Sequence, residues 1–142
     1  MAARGKPNGT YQGMKWIRSE KRLALYLRDN LACVYCGQGI EVGIRLTLDH
    51  LIPYIQGGSN QAENLVSCCL FCNSSRSDRN WKTFARSVAT YRNRGITAKA
   101  LIAHIEQTRK QSYDVQAAHT MIERRGNFSQ TIQSLRKNNN DT

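Results

Sequence analysis

A chain of 142 residues has room for one ordinary domain, and 40% hydrophobic content with a mean hydropathy of −0.56 leaves its core small, so something besides apolar burial is expected to help hold it. Twenty-one Lys and Arg against ten Asp and Glu give a net charge of +11 and a pI near 9.9, which favours a polyanionic partner such as nucleic acid, a solubilising surface charge being the plainer reading. With no run of 18 apolar residues and no apolar stretch in "MAARGKPNGT", neither a membrane span nor a secretory signal is expected, and a cytoplasmic location in a host or infected cell is.

Residues 1–15 are basic, Gly-rich and without hydrophobic period, and read as a flexible arm. Ser19 offers a cap for a helix to about Asn30, with Leu23, Tyr26 and Leu27 on its apolar side. "CVYCGQGIEVGIRLTLDH" reads as a Cys-Gly turn feeding a strand in which Ile44, Leu46 and Leu48 alternate. "YIQGGSNQAEN" is loop, "LVSC" a second short strand, and a helix is expected to start at Asn73 and reach about Asp78. Beyond Asn80, Trp81, Phe84, Val88 and Tyr91 recur at helical spacing until Gly95. Thr97 caps a further helix that turns Leu101, Ile102 and Ile105 inward. Two more helices are expected, at about 113–125 with Gly126 as the stop and at about 129–137, before a disordered tail at 138–142.

Charge is uneven along this order. Residues 1–32 carry seven basic and two acidic side chains, 33–73 one and three, and 74–142 thirteen and five. A less basic centre between basic flanks suits a cation site that grips a polyanion from both sides, although helices exposing Arg and Lys to water give similar sums.

In a reducing compartment five cysteines argue for metal rather than disulfides. Cys33-x-x-Cys36 and Cys69-x-x-Cys72 are two identical knuckles 32 residues apart, each able to offer two thiolates to a tetrahedral ion. Four thiolates close the shell, so the zinc they imply is structural and pins the ends of the segment between them. The spacing favours Cys69 over its neighbour Cys68 as ligand, leaving Cys68 as a small packing residue. Gly37 permits the tight turn after the first knuckle. His104 and His119 fall on expected helices without companion cysteines, and read as helix residues rather than ligands.

The bracketed segment, "LDHLIPYIQGGSNQAENLVSCCLFCN", resembles the HNH nuclease family, whose ββα-metal motif combines an Asp-His pair, a Gly-Gly loop, an Asn-Leu, a Cys-x-x-Cys and a final His or Asn. The matching residues are Asp49-His50, Gly57-Gly58, Asn64-Leu65, Cys69 with Cys72, and Asn73. The resemblance covers roughly residues 16–82 and implies a zinc-stapled ββα-metal hairpin there; with the helical extension read from periodicity at 83–137, which has no family identity, the expected fold is α+β and mostly helical. It implies a metal-dependent DNA endonuclease that leaves 5'-phosphate and 3'-hydroxyl ends, and a loop-tying role for the Asn64 amide.

The residue types suit that chemistry. Phosphodiester hydrolysis needs a deprotonated water and neutralisation of charge on the leaving oxygen. An imidazole can take the proton near neutral pH, which makes His50 the candidate general base. Asp49 and Asn73 offer hard oxygen ligands for Mg2+ or Mn2+. Relatives often carry Lys-Gly after the last motif residue, whereas this chain has "NSSRSDR", so Arg76 and Arg79 are the candidate DNA contacts; a solvated helix face is the plainer reading of both. Plainer readings exist for the rest too: Asp49 as a turn residue, His50 as a surface histidine, Asn64 in a turn, Asn73 as a helix cap. The alternative function is a zinc module that binds nucleic acid without cutting it. A RING- or LIM-like interaction domain fits less well, because such domains carry more than four ligands. One site cuts one strand, so double-strand cleavage requires a homodimer or two successive nicks.

Overall fold

A computed structural model describes residues 17–92 and 95–140, and the expected arm at 1–15 lies outside them. Among the described residues the chain is mostly helical around one two-stranded antiparallel sheet. Helix α1 (Ser19–Arg28) is followed by the first knuckle and strand β1 (Leu46–His50), which pairs with β2 (Leu65–Cys69) so that Leu46 faces Cys69 and His50 faces Leu65. Helix α2 (Leu70–Arg76) leaves β2 directly; α3 (Trp81–Tyr91), α4 (Ala98–Thr108), α5 (Val115–Arg125) and α6 (Phe128–Asn140) complete the order. None of these helices is long and apolar enough to cross a membrane.

Most boundaries follow local chemistry. Asn80 Oδ1 accepts from the Lys82 and Thr83 amides, Thr97 Oγ1 from Ala100 N and Asp114 Oδ1 from Ala117 N, each satisfying an N–H that the first helical turn leaves without a partner. Gly126, at φ 101°, ends α5. Three expectations need correction. Ser19 is the first helical residue and Arg18 stands at the cap position without a side-chain bond. Helix α2 begins at Leu70, not Asn73, because the sulfur of Cys69 accepts the Cys72 amide and serves as the cap. Tyr91, at the end of α3 as its spacing suggests, is exposed while Trp81, Phe84 and Val88 are buried. Helix α6 runs to Asn140, three residues past the expected end, while 141–142 lie outside the described residues.

The core forms around the hairpin. Trp81, Phe84 and Val88 of α3 and Leu101 and Ile105 of α4 are buried with Cys33, Tyr35, Val66 and Cys72 in one cluster. On the other side Leu25 and Tyr26 of α1 pack with Leu46, Leu48 and Leu65, and Phe128, Ile132 and Leu135 of α6 close over them. Arg28 and Asp29 form a buried ion pair at 2.6 Å at the end of α1. Asp29 Oδ2 accepts Ser67 N at 2.7 Å and Arg28 donates to Leu65 O at 2.6 Å, which ties α1 to β2. The hairpin is thus held from both faces, and β1 stops at the end where residues 51–64 connect it to β2.

Candidate active site and metal centre

The four knuckle cysteines converge: the Sγ atoms of Cys33, Cys36, Cys69 and Cys72 lie within 4.8 Å of one another. Cys69 ends β2 and Cys72 follows one turn into α2, while Gly37, at φ 81°, lets its N–H reach Cys33 O at 2.9 Å and close the first knuckle. In each knuckle the second cysteine's amide points at the first one's sulfur, Cys36 N to Cys33 Sγ at 3.5 Å and Cys72 N to Cys69 Sγ at 3.4 Å. The donor set fits zinc. A Zn–S bond of about 2.3 Å implies a tetrahedral edge of roughly 3.8 Å, and Cys36 Sγ stands 3.8 Å from Cys69 Sγ. Cys68 is fully buried and donates to Cys69 O at 3.5 Å, outside the cluster.

Asp49 and His50 are consecutive in β1, so their side chains leave on opposite faces. Asp49 turns toward the knuckles and α2: its Oδ2 accepts from Tyr35 Oη at 2.9 Å and from Arg76 Nη1 at 2.6 Å. His50 turns toward the loop, with Nε2 2.7 Å from Asn60 Oδ1 and its ring edge-on to Tyr54 at 6.4 Å. Both line one cleft of about 50 Å³ at the end of the strand, together with Asn73, Tyr54 and Ser77. That is room for a few small groups such as waters or an ion. Burial pushes the Asp49 carboxyl above its ordinary pKa, against the pull of the Arg76 guanidinium and the Tyr35 hydroxyl.

Asn73 reaches the cleft from α2 and donates Nδ2 to Thr47 Oγ1 at 2.8 Å. Neither Asp49 Oδ1 nor Asn73 Oδ1 takes a hydrogen bond among the described residues, so two residues that line the cleft each keep an oxygen of the kind a hard divalent ion accepts. Asn64 ends the 3-10 turn before β2 and binds the loop backbone: Oδ1 accepts Ile52 N at 2.9 Å, and Nδ2 donates to Ile52 O at 3.1 Å and Ser59 O at 2.8 Å. The glycine pair makes that possible. Gly57 holds φ 92°, and a Cβ on Gly58 would overlap the Ile52 carbonyl oxygen.

The two arginines separate. Arg76 is 2% exposed and not a surface cation: it pairs with Asp49 and also donates to His50 O, Leu51 O and Arg79 O, each at 2.8 Å, so four of its five N–H groups are engaged inside the protein. Arg79 is exposed, donates to Ser75 O at 2.7 Å and lies 5.1 Å over the Phe84 ring. His104 is exposed on α4, and His119 on α5 lies 3.6 Å from Glu20 and 3.2 Å from Glu123, both apart from the cysteines. Sequence reasoning missed Tyr35, Asn60 and the inward turn of Arg76. Tyr35 carried one signal, its place between two ligands.

Residues 33–79 match the HNH endonuclease family. The chain is also similar to the CRISPR-associated endonuclease Cas9 of Corynebacterium diphtheriae, 32% identical over 83 residues that make up 58% of this chain and 7% of that protein. No solved structure matches it at a meaningful level. The matched family and relative support a nuclease-type function.

Proposed function

We propose that this chain, whose residues 33–79 carry the HNH endonuclease pattern, is a metal-dependent DNA endonuclease that hydrolyses phosphodiester bonds to 5'-phosphate and 3'-hydroxyl ends. The observation that carries the reading is the meeting of His50, Asp49 and Asn73 in one small cleft beside a four-cysteine cluster.

His50 is the general base. The amide oxygen of Asn60 can only accept, so a neutral His50 ring carries its proton on Nε2 and leaves the Nδ1 lone pair to take the proton of the attacking water. Asp49 Oδ1 and Asn73 Oδ1 would hold Mg2+ or Mn2+, with the remaining positions left to water and phosphate. Such an ion, when bound, supplies a Lewis acid for the phosphate and a sink for charge on the leaving oxygen. Asn64 keeps the loop after His50 closed, and Arg79, an exposed cation two residues beyond the cleft-lining Ser77, would meet a flanking phosphate.

The test is plasmid nicking with Mg2+ or Mn2+, repeated with EDTA and with His50→Ala. Metal-dependent nicking is expected, reduced by about 10²- to 10⁴-fold in the variant, with zinc content and DNA affinity kept. DNA binding without any metal-dependent cleavage would leave only a non-catalytic zinc module, and full activity of His50→Ala would remove the base assignment.

A further inference from the structure

Asp49 is approached by residues that belong to the two cysteine knuckles. Tyr35 sits inside the first, between Cys33 and Cys36, and Arg76 lies one helical turn beyond Cys72 on α2. Both donate to the same carboxylate oxygen, Oδ2, at 2.9 and 2.6 Å, while Oδ1 takes no hydrogen bond among the described residues. A carboxylate pinned through one oxygen by two donors cannot rotate about its last torsion without breaking both bonds. Its second oxygen therefore has a fixed direction, on a side chain that lines the cleft beside Asn73.

Packing alone does not call for this arrangement. The Tyr35 ring meets Phe84 edge-on at 4.9 Å, a contact that a phenylalanine would make equally well. What a phenylalanine would lack is the hydroxyl, which in a fully buried position is tolerated only with a partner, and the partner is Asp49. Arg76 in turn spans the end of β1, taking Asp49, His50 O and Leu51 O together, so the strand end and the carboxylate are held as one unit.

We propose that Tyr35 and Arg76 are positioning residues for the divalent ion: they lock Asp49 by Oδ2 so that Oδ1 is presented to the ion as a single ligand. Because each hangs from one knuckle, the cysteine-bound metal sets the geometry of the second metal site as well as the fold. This rests on the reading of Asp49 as a ligand in the proposed nuclease site.

The experiment is a Mn2+ titration followed by the electron paramagnetic resonance of the free ion, without DNA, in zinc-loaded His50→Ala protein. Tyr35→Phe, Arg76→Lys and Asp49→Ala are each added to that background, and zinc content and the thermal midpoint are measured alongside. Tyr35→Phe is expected to stay folded, keep its zinc and bind Mn2+ about 10-fold more weakly or worse, as loss of a partner that orients a ligand commonly does. Asp49→Ala is expected to weaken binding further. If Asp49→Ala binds Mn2+ like the parent, the ligand reading falls and the inference with it. If Asp49→Ala loses the ion while Tyr35→Phe binds it within about two-fold of the parent, far short of the ~10-fold loss expected of an orienting partner, the ligand reading stands and the positioning role is overturned. Should Tyr35→Phe lose its fold, Arg76→Lys, which keeps the charge but not the fork of donors, carries the same comparison.

Discussion

His50 Nε2 and Asn60 Oδ1 stand 2.7 Å apart, joining the last residue of β1 to the loop that follows it. Asn60 is itself held, because Lys21 Nζ on α1 donates to its backbone oxygen at 2.6 Å. A histidine whose one nitrogen is fixed by an amide oxygen has its tautomer and ring plane chosen before substrate arrives. Asn60→Ala is therefore expected to slow cleavage, by less than the roughly 10²- to 10⁴-fold that a general base contributes in full, because Nδ1 remains but is no longer oriented. Single-turnover cleavage at saturating DNA measures it. A rate equal to wild type would mean that the contact is incidental.

Asn64 and Gly58 act on the same loop by different means. Asn64→Ala leaves the Ile52 amide and two carbonyls without their partner, at a cost of about 1–3 kcal/mol for each group that stays buried. Gly58→Ala forces a methyl against the Ile52 carbonyl oxygen and the Asn64 amide, and costs about 1–3 kcal/mol through displaced backbone. Both are expected to lower the unfolding midpoint and cut activity while zinc content stays at the parent value. Urea unfolding with metal analysis tests this, and an unperturbed Gly58→Ala would show that the loop has room the geometry denies.

Much of this site was legible in the sequence, for physical reasons that also mark where legibility ended. Two Cys-x-x-Cys knuckles show themselves because tetrahedral ligation needs that short spacing, and Asp49, His50, Asn64 and Asn73 show themselves by a family pattern. Arg76 did not. In "NSSRSDR" it looks like any solvated helix residue, and its partner Asp49 lies 27 residues away, so only the closed hairpin brings the two together. Asn60 was not legible for a related reason: it falls in the stretch expected as loop, and a polar loop has no periodicity from which an inward side chain could be read. The start of α2 was displaced because Leu70 and Phe71 are apolar yet about half exposed, and because a cysteine sulfur is not among the usual cap groups.

Arg76 and Arg79, alike in sequence, should behave oppositely when removed. Arg76→Ala strips a buried carboxylate of its counter-ion and leaves the backbone oxygens of His50 and Leu51 without a donor, so a loss of about 3–5 kcal/mol is expected. Arg79→Ala removes an exposed side chain stacked over Phe84, and about 1 kcal/mol or less is expected. In DNA binding the order reverses. If Arg79 meets one phosphate, its removal should reduce the slope of log affinity against log salt by roughly 0.9. Equal stability of the two variants would contradict the buried ion pair.

The cysteine cluster makes the sharpest distinction, because Cys68 and Cys69 are adjacent, both buried, and assigned different work. Cys69→Ser or Cys36→Ser removes one of four ligands and is expected to lose the zinc and the fold together. Structural zinc contributes apparent binding energies of about 10–16 kcal/mol in small modules, as large as the ~5–15 kcal/mol margin of a whole domain. The loss should spread through the core, since Tyr35, Trp81, Phe84 and Val88 are buried in the same cluster as the ligands. Cys68→Ala, by contrast, removes one sulfur outside the ligand set and is expected to keep one zinc per chain and a cooperative melt. Mild EDTA should likewise remove the divalent ion of the cleft and its activity before the zinc, because only the thiolate shell is closed. Metal analysis and circular dichroism on the three variants decide the matter. A folded, zinc-free Cys69→Ser protein, or a zinc-free Cys68→Ala protein, would overturn the assignment of the ligands.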